Sequence, residues 1–222
     1  MIDSAPSYDA TSLRPGELIR TLGQRSSDLP PAVQELARTA LRLTGWEVPD
    51  NVPDVPQMVL IGYPHTDNLD FLVMLACAAQ YGLAVRWFGK ASLFRPPFGA
   101  LLEALGGIKV DRSGANNVVD RMVEAFAQNP RMVLVVSAEG TRQYRDAWKS
   151  GFYHIAMGAG VPIGLTYLDY KRHRAGIGAV ILPSGDVRHD MAQIRAYYEE
   201  VGAVGRVPEN AGRVRLPAED EA

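Results

Sequence analysis

The chain has 222 residues, 47% hydrophobic and 22% charged, with a net charge of -2 and a pI near 6.1. That is enough apolar side chain for one packed domain, and it excludes general disorder and the strongly basic surface of a nucleic-acid binder. The single cysteine, Cys77, excludes an internal disulfide, fits a reducing compartment, and lies in an apolar stretch where a small buried hydrophobe is expected.

Residues 1–13 are polar and aperiodic, without the basic region and apolar core of a secretory signal. No apolar run approaches the roughly 20 residues that span a bilayer, so any membrane contact is expected from the surface. Leu18, Ile19 and Leu22 suggest a short helix ending near Gly23. A second helix starts after Asp28 and Pro30-Pro31, with Val33, Leu36, Ala37, Ala40, Leu41 and Leu43 at helical spacing up to Gly45. It is amphipathic: with Arg38 and Arg42 on its edge it suits either an anionic membrane surface or, more commonly, packing on its own domain. These elements form an appended segment over residues 1–50. Residues 51–205 form the main domain, and 206–222 are expected to fray.

The main domain opens with the apolar run Met58–Ile61, a buried strand, followed by a helix from about Leu69 to Tyr81 closed by Gly82. Ala84–Phe88 is a second strand, and Gly89 to Gly99 a loop leading into a short helix at Ala100–Leu105. A brief strand at Gly107–Val110 ends in the charged turn Asp111-Arg112-Ser113, and Asn116–Gln128 is helical. Met132–Val136 is apolar throughout, as a central strand is. Trp148–Met157 reads as a helix, Pro162–Leu168 and Ala179–Leu182 as strands, and Met191–Val201 as the last helix. This alternation predicts an α/β fold with a central, mostly parallel or mixed sheet flanked by helices.

Three polar clusters follow strands: Pro64 to Asp70, the Asp111-Arg112 turn, and Glu139-Gly140-Thr141-Arg142. In a parallel sheet such loops converge on one rim. His65 and Asp70 are five apart, and on one helix their side chains would diverge by about 140°. They meet only if His65 lies in the loop and Asp70 in the first helical turn. The pair then is an imidazole oriented by a carboxylate; equally, Thr66, Asp67 and Asn68 are ordinary helix-capping residues and His65 a loop histidine. Lys90, Arg112 and Arg142 are each an ordinary surface charge alone and an anion pocket together. Nucleophilic serine chemistry lacks its G-x-S-x-G, the four histidines have no metal-ligand spacing, and Gly158-Ala159-Gly160 lacks the third glycine of a dinucleotide fingerprint.

His65-x4-Asp70 is followed by Lys90 with Pro97-Phe98-Gly99, Gly107-Ile108, Val110-Asp111-Arg112-Ser113, Glu139-Gly140-Thr141-Arg142, Lys149-x-Gly151 and Val161-Pro162-Ile163. Together, across about residues 57–168, this order resembles the glycerolipid acyltransferase family, whose best-known bacterial members are 1-acylglycerol-3-phosphate acyltransferases. Pro64, Ser137-Ala138 and Gly164 depart from the family pattern. The resemblance implies the family's α/β fold, acyl-CoA or acyl-carrier protein as donor, no further cofactor and no metal, and a lysophospholipid acceptor. It implies His65 as general base and Asp70 as the carboxylate that fixes its tautomer. Backbone N–H groups near the helix start or the Glu139-Gly140 turn would meet the oxyanion. Arg112 and Arg142, with Lys90, would hold the acceptor's phosphate, and Glu139, Gly140 and Thr141 would contact the glycerol or brace their loop. The implied setting is cytoplasmic, peripheral on the membrane surface. The alternative is a non-catalytic lipid- or phosphoanion-binding member of the same fold, against which intact His65 and Asp70 weigh.

Overall fold

A computed structural model describes residues 13–20, 26–110 and 115–217. In chain order the elements are β1 (Leu18–Ile19), α1 (Pro31–Leu43), β2 (Met58–Ile61), α2 (Leu69–Gln80), β3 (Val85–Lys90), α3 (Gly99–Ala104), β4 (Gly107–Val110), α4 (Ala115–Gln128), β5 (Val133–Val136), α5 (Gly151–Ala159), β6 (Ile163–Asp169), β7 (Arg174–Ile181) and α6 (Val187–Val201). Short 3-10 turns lie at Ala91–Phe94 and Pro208–Asn210.

The strands form one sheet in the order β1-β7-β6-β2-β5-β3-β4. Strands β2 to β6 run parallel, while β7 pairs antiparallel with β6 and β1 antiparallel with β7. Central β2 is apolar because both its faces are covered. Val59 and Ile61 enter a core with Phe126, Trp148, Phe152, Ile155 and Ile194. Met58 and Leu60 enter another, with Leu41, Cys77, Ala78, Tyr81 and Ile177. Thus α4, α5 and α6 cover one face and α1 and α2 the other. Cys77 is buried as expected, and burial pushes its thiol up to about 12.

Several elements differ from the sequence reading. Leu18 and Ile19 form not a helix but the edge strand β1: Gly16, at a φ of 76°, turns the chain and donates to Leu182 O at 2.7 Å, which lays the next residues along β7. Residues 21–25 lie outside the described residues. The short strand expected at Ala179–Leu182 is the end of the eight-residue β7, which forms a long hairpin with β6. Gly176 and Gly178 blurred its pattern. Gly178 is required by packing, since a Cβ there would lie 2.1 Å from the Tyr197 hydroxyl.

Helix α1 buries Ala37 and Leu41 and leaves Leu36 and Leu43 exposed. Its Arg38 is held by Asp50 and Glu35. Residues 206–217 do not fray: Leu216 is fully buried and Trp148 N donates to Arg215 O at 2.8 Å. The apolar anchor at Leu216 ties this segment to the core. Residues 218–222 lie outside the described residues.

Candidate active site

The carboxyl ends of β2, β5 and β3 are adjacent in the sheet and carry the His65 loop, the Glu139 loop and Lys90. This is the rim where α/β sheets hold ligands. Arg112, which follows β4 in sequence, lies outside the described residues.

Tyr63–Pro64 is a cis peptide, and the chain then runs through His65 into α2. Asp67 Oδ1 accepts from Leu69 N at 2.8 Å, forming the turn that opens the helix. Asn68 caps nothing; its Oδ1 instead accepts from the Arg142 guanidinium, tying the loops after β2 and β5 together. Asp70, in the first turn of α2, reaches back: its Oδ2 accepts from Thr66 N at 2.6 Å and Asp67 N at 2.8 Å and lies 3.4 Å from His65 Nδ1. The loop-and-helix arrangement of His65 and Asp70 is therefore the one the spacing requires. Asp70 Oδ1 accepts from the Tyr170 hydroxyl at 2.8 Å. Burial acts to raise the Asp70 carboxyl, but His65, the two amides and Tyr170 together hold it below its ordinary value.

Glu139 is 1% exposed and pairs with no arginine among the described residues. Its Oε2 accepts from His65 N at 2.8 Å and its Oε1 from Gly212 N at 2.7 Å. It braces the loop that carries the histidine. Burial raises its carboxyl to about 7, against the pull of the two amides and His65. Gly140, at a φ of 63°, turns the chain beside it, and a Cβ there would meet Lys149 Cδ at 2.8 Å. Of the amides near the helix start and the Glu139-Gly140 turn, those of residues 65, 66, 67 and 69 are engaged by Glu139, Asp70 and Asp67, and that of Gly140 by Ser137 O.

A cavity of about 1340 Å³ opens here. His65, Asn68, Lys90, Gly140, Thr141, Arg142 and Lys149 contribute to its wall, and Lys90, Arg142 and Lys149 are exposed at the opening. Inward it is apolar, passing Phe71, Cys77 and Ala78 to Tyr81, Leu168 and Ile177 between α2 and the sheet. The His65 ring is 26% exposed, open to a ligand on one side and held on the other.

Sequence reasoning missed three contributors. Lys149 was visible in its motif but not as a cation of the site. Tyr170 and the 205–216 segment carried no local signal. In that segment Val207 N donates to Thr66 Oγ1 at 3.2 Å, Arg206 lies 3.4 Å from Asp67, and Gly212 bonds Glu139.

A family model described as Acyltransferase matches residues 46–164, more than half of the chain. No curated protein matches the sequence. Among solved structures, the fold is similar to the crystal structure of the 1-acyl-sn-glycerophosphate (LPA) acyltransferase PlsC from Thermotoga maritima. The TM-score is 0.54, with 14% identity over 78% of this chain and 80% of that one. The family match takes in the His65 loop, Lys90 and the Glu139–Arg142 loop together, and the chain belongs to the acyltransferase family.

Proposed function

We propose that this protein moves a fatty acyl group from a thioester donor, acyl-CoA or acyl-carrier protein, to the free hydroxyl of a lysophospholipid, with 1-acylglycerol-3-phosphate as acceptor and phosphatidic acid as product. The observation that carries the reading is His65, its Nδ1 facing Asp70 and its ring open to a deep apolar cavity with a cationic mouth. Asp70 is an acceptor only, so it favours the tautomer with the proton on Nδ1 and leaves Nε2 as the base.

Nε2 takes the acceptor's hydroxyl proton as that oxygen attacks the thioester carbonyl. Asp70 stabilises the imidazolium formed, and the 3.4 Å contact tightens as that charge appears. When the tetrahedral adduct collapses, the carbon–sulfur bond breaks and the imidazolium returns the proton to the leaving thiolate. Lys90, Arg142 and Lys149 suit the acceptor's phosphate, and the apolar interior suits an acyl chain. Thr141 lines the same wall, while Gly140 shapes the turn and Glu139 holds the backbone of His65.

The exposed apolar side chains near the mouth suit peripheral contact with a cytoplasmic membrane surface. Leu72 and Leu93 line the cavity yet face solvent, and Phe98 and Leu101 are exposed close along the chain, with Lys90 and Arg95 among them. No helix among the described residues is long and apolar enough to cross a membrane. The test incubates purified protein with labelled acyl-CoA or acyl-carrier protein and a panel of lysolipids, free and in anionic vesicles. His65→Ala should lower transfer by about 10²–10⁴-fold while acceptor binding is kept. Transfer that survives the substitution overturns the mechanism, and equal rates for free and vesicle-borne acceptor remove the membrane contact.

A further inference from the structure

Asp70 uses its two oxygens unequally. Oδ2 meets Thr66 N, Asp67 N and His65 Nδ1, all from its own loop, whereas Oδ1 receives the hydroxyl of Tyr170, 100 residues away in sequence. Tyr170 starts the turn between β6 and β7, beyond the segment that the family model matches. Its place is fixed from several sides. Its backbone N–H donates to Val204 O at 2.9 Å. The preceding Asp169, buried, accepts from the amides of Lys171 and Arg172 and from the Arg172 guanidinium. Its ring meets Trp46 edge-on at 5.0 Å, and Trp46 in turn stacks on His173 at 5.3 Å. Glu47 N, bonded to His173 O at 2.8 Å, pins that tryptophan's backbone to the same turn. The hydroxyl is therefore presented by the end of the sheet, not by a loose side chain.

Rotation of the carboxylate about its Cβ–Cγ bond would swing Oδ2 away from His65, and a rigid donor on Oδ1 resists that rotation. We propose that Tyr170 is a positioning residue for acyl transfer: its hydroxyl locks the plane of the Asp70 carboxylate so that Oδ2 stays turned toward His65 Nδ1. The proposal rests on His65 acting as the base. Burial and the neighbouring Asp70 charge raise the phenol's pKa, which keeps it a donor throughout the working range. The other charged or titratable groups around Asp70 are His65 and Asp67 on its own loop, Glu139 after β5, and Arg206, which faces Asp67 and Tyr170 from the C-terminal segment. Tyr170 is therefore the neutral donor in a set that is otherwise ionic or backbone.

Tyr170→Phe keeps the ring against Trp46 and deletes one oxygen. With circular dichroism unchanged, kcat should fall about tenfold at unchanged acceptor KM. The Asp70 carboxyl, followed by 13C NMR, should titrate at higher pH because it has lost a donor to its charged form. An Asp70 titration that does not move, or a rise in KM with kcat intact, overturns the proposal. The two readings separate cleanly. Wild-type protein that transfers no acyl group, with the titration shifted by Tyr170→Phe, sinks the acyl-transfer role and leaves only the hydrogen bond. Active wild-type protein with an unshifted titration sinks the lock and leaves the function.

Discussion

Asp70 and Glu139 are almost equally hidden, 3% and 1% exposed, and face the same histidine from the segments that follow neighbouring strands, Asp70 in the first turn of α2 and Glu139 in the loop after β5. Yet the first is held below its ordinary carboxylate value and the second is raised to about 7. Both are penalised by burial. Asp70 offsets the penalty with two amides, a phenol and the imidazole, at the amino-terminal end of α2, where the dipole favours negative charge. Glu139 has two amides, with His65 near but facing Asp70, and there burial wins. Asp70 has more donors and a lighter burial penalty than Glu139, and together these hold it below its ordinary value while Glu139 is raised. The two then divide the work: Asp70 addresses the ring of His65 and Glu139 its backbone.

The largest effect is expected from Asp70→Asn, which keeps the shape and removes the charge proposed to support the imidazolium. Measured in the thioester assay, kcat should fall about 10³-fold or more. A loss under tenfold would show that Glu139 can replace Asp70 as the partner. Next in size is Arg142→Glu, which reverses a charge at the cavity mouth and breaks the tie to Asn68. The acceptor's KM should rise about tenfold, roughly 1.4 kcal/mol; an unchanged KM removes Arg142 from the acceptor site.

Glu139 holds its proton to higher pH when folded than when unfolded. Its contribution to stability is therefore complete below the ordinary value of 4.5, declines as pH rises toward about 7, and is level above. Asp70 behaves in the opposite sense. Its contribution is complete above the ordinary value of 3.8 and is lost as pH falls through its lowered value. Thermal melts of Glu139→Gln at a series of pH values should lack the wild-type decline between pH 4.5 and about 7. A variant that retains the decline assigns it to another group.

Much of the site was readable because its decisive relations are short. The meeting of His65 with Asp70 needs only a strand end, a turn and a helix start, all within Met58 to Asp70. The apolar runs of β2 and β5 announce two-sided burial directly. The partners of Glu139 were not readable, because His65 and Gly212 are 74 and 73 residues away. Arg142, three residues on, turns to Asn68 and not to Glu139. Leu18 and Ile19 followed a helical spacing too short to outweigh an open sheet edge.

The alternation of strands and helices, the rim that holds the candidate site and the imidazole–carboxylate pair all follow from local stretches of chain. Backbone propensity, capping and hydrophobic period act over a few residues, so each is complete within a local window. Which groups steady that pair depends on how distant segments pack together. Tyr170 reaches Asp70 only because β6 pairs with β2, and Gly212 reaches Glu139 only because Leu216 and its neighbours anchor the last segment on the core. Contacts of that range depend on strand order and packing, which no short stretch of chain contains.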